Sequence, residues 1–420
     1  MLKKQMFPVV SIFLSAVVLA LLLVGQICAA SPKLTLKFWK FAASNDDGDL
    51  AKMVDQWNKE NPDIKVVFET FPWDQYVNEK LTVGFASRQG PDVFWISPGE
   101  FMKYVENGIA LPLNQYFPED LKQDLVPAAL DAVTVKGKIY AVPHEMEPVA
   151  LYYNKNLFKQ SGVEPPTTWD ELISTAKKLK TSNRWGVMIP TAGDYYQNFV
   201  FYPFLWMAGG DVLDKEWTQC TFNSPATAKA LDFWGDLINK YKVAPPTGGN
   251  PGDESLANGL TSMFVVGYWY AGILKNNYPK FEYGVVPIPK PTNGKFVTVY
   301  GGWTTMVSSQ SKHPKEAAEF AVWLFGKDPG RPLIWIEAPR TKLSPRLSVM
   351  EKAKDYFDKF PHNVFRDQIL KIARAEPAYP PEIAKAVTDA IQEVLFKGKS
   401  GAQAAEKASK TIEAYLKRIK

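Results

Sequence analysis

Short segments of alternating apolar and polar residues and longer segments of helical periodicity follow one another along most of the chain. Over 34–38 apolar residues take every second position, which predicts a strand. Over 50–57 apolar residues recur at i, i+3, i+4 and i+7, which predicts a helix with one buried face. Short apolar segments at 64–68 and 92–96 predict two further strands. Strands that alternate with helices in this way predict an α/β fold with mostly parallel sheets.

Capping residues mark several helix boundaries. Thr168 and Glu171 have the spacing of a capping box, in which each side chain bonds to the backbone amide of the other residue. Pro225 and Pro314 suit the first position of a helix, where the missing amide hydrogen costs nothing. Gly108 suits the left-handed residue that ends a helix. The last hundred residues are predicted to be largely helical.

No long polar linker divides the chain into consecutive domains. A segment rich in proline and glycine, 244–252, is interpreted as a surface loop, and the sequence contains no internal repeat. Two lobes formed by a chain that crosses between them several times would leave this kind of sequence.

The N-terminal residues predict export. Residues 1–5 carry two lysines and no acid, residues 7–24 are almost entirely apolar, and small residues follow, so we predict a signal peptide cut after Ala30. One alternative is a membrane anchor, because about 18 apolar residues can marginally span a bilayer. The other is a lipoprotein with acylated Cys28, although Ile27 and its neighbours fit that signal poorly.

Charge and cysteine content narrow the function classes. Removal of residues 1–30 takes away two of the 49 basic residues and none of the 44 acidic ones, which leaves an excess of only three positive charges. This balance favours neither nucleic acid nor an anionic membrane as a partner. Cys220 is then the one remaining cysteine, so no intramolecular disulfide is expected. We also expect the protein to be a monomer. The aromatic content of 13% leaves material for flat apolar binding surfaces.

Motifs for catalysis and metal binding are absent from the sequence. The three histidines, His144, His313 and His362, stand alone without the paired spacing of metal ligands. There is no phosphate-binding loop, no nucleophile elbow and no cysteine–histidine arrangement of note. We therefore predict neither a cofactor nor an enzyme.

Five short elements, in order and at ordinary spacing, carry a resemblance to a known family. They are Gly90–Val93, Gly137–Pro143 with Leu151–Lys155, Pro165–Leu172, Ala208–Asp211 and Phe222–Pro225. With these elements the sequence resembles the extracellular solute-binding proteins of family 1, the group that contains maltose-, trehalose- and other oligosaccharide-binding proteins. The resemblance covers essentially the whole chain after the predicted signal peptide.

The resemblance implies a fold and a partner. The fold is that of type II periplasmic binding proteins, with two α/β lobes, mixed sheets flanked by helices, and a hinge that lets the lobes close on a ligand. By analogy, lobe one holds residues 31–145 and 302–350, and lobe two holds 146–301 and 351–420. The partner is the membrane permease of an ABC importer, which can distinguish the closed from the open conformation.

The candidate aromatic site residues follow from the chemistry of sugars. Sugars offer apolar faces and a rim of hydroxyls, so their sites combine aromatic rings with carboxylate and amide groups. Trp269, after Tyr268, lies where relatives place a stacking tryptophan, with core packing as the alternative. Gly302 and Trp303 resemble a second such element, or else a turn that begins a strand. Trp73 is expected either in the cleft or in the core.

The candidate polar residues are distributed over several segments. Glu147 lies where maltose-binding relatives carry a ligand-binding acid, and Glu145 faces the same side if the segment is extended. Such a pair also suits glycoside hydrolysis. The alternative without a functional role is that both glutamates are solvated acids on the surface. Gln197 and Asn198 align loosely with a contact loop of relatives, where Tyr195 and Tyr196 could serve instead.

The remaining candidates lie near the ends of predicted strands, where α/β ligand sites form. The first strand is expected to end at Trp39, which places Lys40 and Asp46 in the following turn. Ser97 follows the strand at 92–96, where several relatives have an aspartate. Arg340 is favoured slightly over Arg346 near a segment similar to an L-P-A-R element of the family.

Several functions are compatible with these features. The first is capture of a carbohydrate, with an oligosaccharide favoured by the number of aromatic residues. A binding protein for another polar solute, such as a glycerol phosphoester, would need a cluster of arginine, serine and backbone amides. A secreted carbohydrate-active enzyme would consume its sugar, and an exported adhesin or sensor would feed a receptor.

Overall fold

The structure is a computed structural model that describes residues 32–42, 47–247, 252, 254–337 and 341–419. The predicted signal peptide lies outside the described residues, as do Asp46 and Arg340. Among the described residues, no helix is both long enough and apolar enough to cross a membrane.

Two separate sheets form the framework. The first has the order β2-β1-β3-β12-β6, with β1 parallel to β2 and β3 and with β12 antiparallel to β3 and β6. Its strands are β1 Leu34–Phe41, β2 Ile64–Phe71, β3 Val93–Ile96, β6 Ala141–Pro143 and β12 Thr304–Val307. A small hairpin joins β4 Thr134–Val135 to β5 Lys138–Ile139.

The second sheet is mixed, with the order β13-β11-β7-β9-β8 and with β10 paired to β7. Its strands are β7 Glu147–Asn154, β8 Trp185–Met188, β9 Thr261–Gly267, β10 Tyr283–Val286, β11 Thr298–Gly301 and β13 Ala373–Ala375. The prediction of mostly parallel sheets is wrong here, because β7 runs antiparallel to β9, β10 and β11.

Helices cover both sheets. They are α1 Asp47–Glu60, α2 Leu81–Ala86, α3 Pro98–Glu106, α4 Glu119–Asp124, α5 Pro127–Asp131, α6 Lys155–Ser161, α7 Trp169–Leu179, α8 Tyr195–Met207, α9 Pro225–Asn239, α10 Trp269–Asn277, α11 Pro314–Val322, α12 Gly330–Glu337, α13 Leu347–Lys352, α14 Lys354–Phe357, α15 Pro381–Phe396 and α16 Gly401–Ile419. Short helical turns lie at Trp73–Gln75, Tyr76–Lys80, Trp323–Lys327, His362–Val364, Phe365–Ile369 and Leu370–Ile372.

Most local predictions are confirmed. The apolar face of α1 is buried, with Trp57 4% exposed. Thr168 and Glu171 form both bonds of the predicted capping box at α7, and Pro225 and Pro314 begin α9 and α11. The predicted strand at 64–68 is confirmed within the longer β2.

Each sheet has its own apolar core. Around the first sheet, Phe38 of β1 contacts Phe320 of α11 edge-on at 5.6 Å between ring centroids. In the second sheet, alternate residues of β7 face two different cores, so that Leu151 lies in one and Tyr152 in the other. This alternation follows from the two-residue repeat of a strand that is covered on both faces. We call the first sheet with its helices lobe one, and the second sheet with its helices lobe two.

Two of the segments at which the chain crosses between the lobes are neighbours. Residues 144–146 connect β6 to β7, and residues 302–303 connect β11 to β12. Glu145 ties the two crossings together, because its Oε1 accepts from the Trp303 amide at 3.1 Å. Its Oε2 accepts from Trp335 Nε1 at 2.9 Å. A hinge between the lobes therefore contains a buried carboxylate whose two oxygens are both bonded.

Candidate ligand-binding cleft

An aromatic cluster lies where the two lobes meet. We define it as Phe41, Trp73 and Trp303 of lobe one and Tyr195 of lobe two. Trp303 contacts Phe41 at 4.4 Å and Trp73 at 5.4 Å between ring centroids. Trp73 reaches across to Tyr195 at 5.8 Å. The structure therefore brings the predicted site residues Trp73 and Trp303 together at the lobe interface.

Gly302 occupies a backbone position that only glycine adopts easily. Its φ is +123°, and a Cβ there would lie 2.3 Å from the Glu145 carbonyl oxygen. The close approach is thus to the other crossing segment. The turn that was the alternative interpretation is present, since Gly302 connects β11 to β12.

Two carboxylates that sequence reasoning did not single out lie beside the aromatic cluster. Glu376 follows β13 and is 5% exposed. It approaches the N-terminus of α3, where a Cβ on Gly99 would lie 2.4 Å from its Oε1. Its Oε2 lies near Gly301, at 3.0 Å from a Cβ placed there. Glu100 is the next residue of α3, so acids from both lobes meet at this point.

Burial controls the protonation of these acids. Burial raises the pKa of Glu376 to about 8, with the Glu100 carboxylate raising it further and the Gly99 amide acting in the opposite direction. Burial also raises the pKa of Glu100 to about 7; Lys103 lowers it and Asp194 raises it. Because both values lie near neutrality, a proton can be gained or lost here under physiological conditions.

Ser97 and Tyr195 complete this part of the interface. Ser97 is 5% exposed and occupies the N-cap position of α3, but its side chain does not cap the helix. Burial raises the pKa of Tyr195 well above its usual value; the acids Glu100 and Glu376 raise it further, while the neighbouring Ser97 acts in the opposite direction. The predicted residue Ser97 therefore faces lobe two.

Trp269 lies deeper in lobe two, at the start of α10. It is partly buried, and its ring folds over Gly267, where a Cβ would lie 1.7 Å from the ring. Trp269 lies near Phe199 at 6.5 Å between ring centroids. Phe199 in turn contacts Gly301, which is next to the crossing segment. Trp269 is thus connected to the cleft through one intervening ring.

Gln197, Asn198 and Tyr268 are held within lobe two. Gln197 accepts from Gln392 of α15 at 3.0 Å, and Asn198 donates to the Ala384 carbonyl oxygen at 2.9 Å. The Tyr268 hydroxyl is 2.6 Å from His362 Nδ1 and is fully buried. On the first turn of α8, Tyr195 reaches lobe one.

Lys40 and Glu147 are both buried. The prediction that the first strand ends at Trp39 is wrong, because β1 continues through Phe41, which pairs with Phe71. Lys40 therefore lies within the sheet, where its ammonium contacts Asp47 and lies 4.6 Å from the Phe41 ring centroid. Glu147 begins β7 and is 6% exposed, so the alternative of a solvated surface acid is wrong.

The described arginine near the predicted L-P-A-R element, Arg346, bonds to other groups of the protein. Arg346, the alternative to Arg340, pairs with Asp124 at 2.7 Å and donates to the carbonyl oxygens of Phe325 and Gly326. Among the described residues, no group of three histidine, cysteine or acidic side chains could hold a metal ion.

Comparison of the sequence with known proteins identifies the family of this chain. The model of the bacterial extracellular solute-binding proteins matches residues 42–330. The chain belongs to this family. Its members are binding proteins, and the family is extracytoplasmic, so this solute-binding protein is periplasmic or extracellular.

Several relatives of this solute-binding protein have named ligands. An arabinooligosaccharide-binding protein of Halalkalibacterium halodurans is 26% identical over 408 residues, which cover 91% of this chain and 89% of the relative. A maltotriose-binding protein of Pyrococcus abyssi is 30% identical over 268 residues, 62% of this chain and 56% of the relative. The solved structure of an ABC substrate-binding protein of Listeria monocytogenes with cycloalternan is 26% identical, covers 91% of this chain and 98% of its own, and has a TM-score of 0.79. The predicted two-lobe fold of type II periplasmic binding proteins is confirmed.

Proposed function

We propose that this solute-binding protein is the extracytoplasmic subunit of an ABC importer and captures a carbohydrate, an oligosaccharide, between its two lobes. The observation that carries the proposal is the aromatic cluster, which joins Trp73 of lobe one to Tyr195 of lobe two beside buried carboxylates. Rings suit the apolar faces of sugars, and carboxylates accept hydrogen bonds from their hydroxyls.

The mechanism is closure around the crossing segments. When the lobes separate, Trp73, Ser97 and Gly99 move away from Tyr195 and Glu376, and the faces between them become accessible to a solute. A solute held by both faces favours the closed arrangement by its differential affinity for it. The permease of the importer then distinguishes the closed from the open shape, and the sugar is handed over unchanged.

The assignment of segments to lobes is part of the same proposal. We assign residues 31–145 and 302–350 to lobe one, and 146–301 and 351–420 to lobe two. The strands of the two sheets support the boundaries near 145 and 301, because β6 and β12 belong to the first sheet while β7 and β11 belong to the second. We further propose cleavage after Ala30, a monomeric protein and no interaction with nucleic acid.

The names of the relatives support a carbohydrate ligand. The arabinooligosaccharide-binding relative aligns over nearly the whole chain, and the Listeria protein was solved with cycloalternan. We propose that the predicted residues Lys40, Glu147, Trp269 and Gly302 contribute to the site within this function.

A thermal-shift screen tests the proposal. The exported protein is heated with mono- to tetrasaccharides, and each mixture that raises the unfolding temperature is analysed for reaction products. A ligand present at about 100 times its Kd stabilises the fold by about 2.7 kcal/mol, which is easily measured. A shift with one group of sugars and no product supports the proposal. No shift with any sugar, or consumption of the sugar, would contradict it.

A further inference from the structure

A cavity of about 520 Å³ lies in lobe two, away from the lobe interface. It is lined by residues of α6, α10, β10 and the segment 356–362. Tyr283 of β10 lines it and pairs with Asn154, which lies seven residues beyond Glu147 along β7. At about 3.3 Å per residue, this pairing is roughly 23 Å from the first crossing. The cavity is therefore separate from the proposed sugar cleft, and its volume suits a small molecule.

The charge around this cavity is positive. Lys155, Lys275 and Lys359 line it, and Glu282 is the only acid among its described lining residues. Within the described part of the chain, none of the three lysines forms an ion pair. Burial, reinforced by Lys275 and Lys359, lowers the pKa of His362 in the cavity wall to about 4. The positive charge is thus that of the lysines, and an anion would balance it.

Flat rings stand beside these cations. Phe360 is 46% exposed, and its ring lies 5.4 Å from that of Tyr283. The Lys155 ammonium is 4.8 Å from the centroid of Phe360. Deeper in the cavity, Tyr356 stacks on His362 at 4.2 Å between ring centroids. The cavity therefore offers apolar ring surface and positive charge to the same ligand.

One donor in the cavity wall has no partner within the protein. Among the described residues, no group bonds to the buried hydroxyl of Tyr356. The neighbouring His362 differs, because its Nδ1 is 2.6 Å from the Tyr268 hydroxyl. A buried hydroxyl without a partner is costly, so such a group in a native protein needs a reason. An acceptor on a ligand in the cavity would supply one.

We infer that this cavity is a second binding site, which takes a small anion carrying a flat apolar group, such as an aromatic ring joined to a phosphate. Ammonium groups bind the anionic end through charge-assisted hydrogen bonds, and the rings pack against the flat part. A neutral sugar lacks the charge, and inorganic phosphate lacks the flat part. The inference does not rest on the proposed function, because it concerns other residues.

Calorimetry with three probes tests the inference. AMP carries both a flat ring and a phosphate, adenosine carries the ring without the charge, and inorganic phosphate carries the charge without the ring. We expect AMP to bind at least about tenfold more tightly than either of the others. Its affinity should fall with added salt, because the lysines lie at the surface of the protein. The sugar found by the thermal-shift screen should leave the affinity for AMP unchanged.

Variants of the cavity test which groups hold the anion. Lys275→Gln and Lys359→Gln remove one charge each and should weaken AMP binding by about threefold to tenfold. Tyr356→Phe removes the unpartnered hydroxyl and should weaken it by about threefold or more. Thermal unfolding of each free variant shows whether it is folded.

A lysine outside the cavity provides the matched control. Lys177 of α7 lies 4.6 Å from the ring centroid of Tyr241, much as Lys155 lies over Phe360, but it does not line the cavity. Lys177→Gln should bind AMP as the wild type does. Equal losses in this variant and in Lys275→Gln would overturn the inference, because they would report net charge alone.

The remaining outcomes also decide the matter. The inference is overturned if adenosine or inorganic phosphate binds as tightly as AMP, if the sugar displaces AMP, or if the folded lysine variants bind AMP unchanged. Vesicles of phosphatidylglycerol test an anionic membrane surface as the alternative occupant. Cosedimentation that AMP does not reverse would assign the lysines and Phe360 to that surface and overturn the inference. Sugar binding is measured separately and stands or falls by the thermal-shift screen.

Discussion

Trp73 connects the aromatic residues of lobe one with lobe two. Its ring meets Trp303 edge-on and lies 5.8 Å from Tyr195, and it is only partly buried. We expect Trp73→Ala to weaken sugar binding by about tenfold, or ~1.4 kcal/mol, because a ring that contacts the ligand is removed. Calorimetry with the sugar found by the thermal-shift screen measures the change.

The control for this variant is a tryptophan on the outside of lobe two. Trp217 is 42% exposed and contacts Tyr379, which is not part of the aromatic cluster. Trp217→Ala should leave the affinity unchanged. Equal losses in both variants would mean that Trp73 acts through general stability and has no place in the site.

At the residue scale, sequence reasoning identified segments that lie at the lobe interface better than it identified the side chains that meet there. Gln197 and Asn198 were predicted as contacts, but the rotation of α8 directs them to α15, while Tyr195 reaches lobe one. Residues in a helix turn by about 100° each, so an error of two positions moves a side chain to another face. Glu376 carried no local signal, because its environment is built by α3 from a distant part of the chain.

The connection between β11 and β12 depends on one glycine. A Cβ on Gly302 would lie 2.3 Å from the Glu145 carbonyl oxygen, and its φ of +123° is strained for any other residue. Gly302→Ala is expected to lower the free energy of unfolding by about 3 kcal/mol or more, from strain and steric overlap together. Urea unfolding measures this change.

A second glycine separates the two causes. Gly259 also has positive φ, +74°, but no atom lies within 4 Å of a Cβ placed there. Gly259→Ala should cost only about 1–2 kcal/mol, the strain of a left-handed residue. If both variants lose the same amount, steric overlap with the Glu145 carbonyl oxygen adds nothing measurable to the loss at Gly302.

The capping box of α7 gives a prediction at the scale of one helix. The Thr168 side chain accepts from the Glu171 amide, and Glu171 accepts from the Thr168 amide. Thr168→Ala should lower the free energy of unfolding by about 1 kcal/mol, as measured by urea denaturation. Thr168→Ser keeps the hydroxyl and should lose much less. A loss in the serine variant as large as in the alanine variant would contradict a capping role.

Elements were predicted well where their signals are local. The capping box, the proline starts and the buried face of α1 depend on residues a few positions apart, and all are present. The strand β13 was not predicted, because three residues gain their pairing only from β11. The end of β1 was misplaced for the same reason, since its last residues are held by pairing with β2.

At the scale of the whole molecule, the hinge and the ligand-facing surfaces are neighbours. The crossing segments lie beside the aromatic cluster through Trp303, and Glu376 contacts β11 at Gly301 just before the second crossing. Any change in the charge of the interface therefore acts close to the axis about which the lobes separate. Strand β7 enters lobe two directly from the first crossing and pairs antiparallel with β9, β10 and β11.

Closure of the free protein is accordingly expected to depend on pH. With the lobes in contact, burial raises the pKa of Glu100 to about 7 and that of Glu376 to about 8, from an ordinary value of 4.5. The closed form thus binds more protons than the open form between about pH 4.5 and pH 8, so raising the pH favours opening. Asp194 reinforces this direction and Lys103 opposes it.

From pH 5 to pH 9 the ratio of open to closed molecules should rise by at least about tenfold, since one unit of pKa corresponds to tenfold. Small-angle scattering of the free protein, which reports its radius of gyration, measures the change. The double variant Glu100→Gln and Glu376→Gln should flatten the pH profile, whereas Glu393→Gln should keep it, because Glu393 is as buried as Glu376 but pairs with Lys407 of α16. A radius that is constant with pH in the wild type, or an unchanged profile in the double variant, would show that these acids do not govern closure.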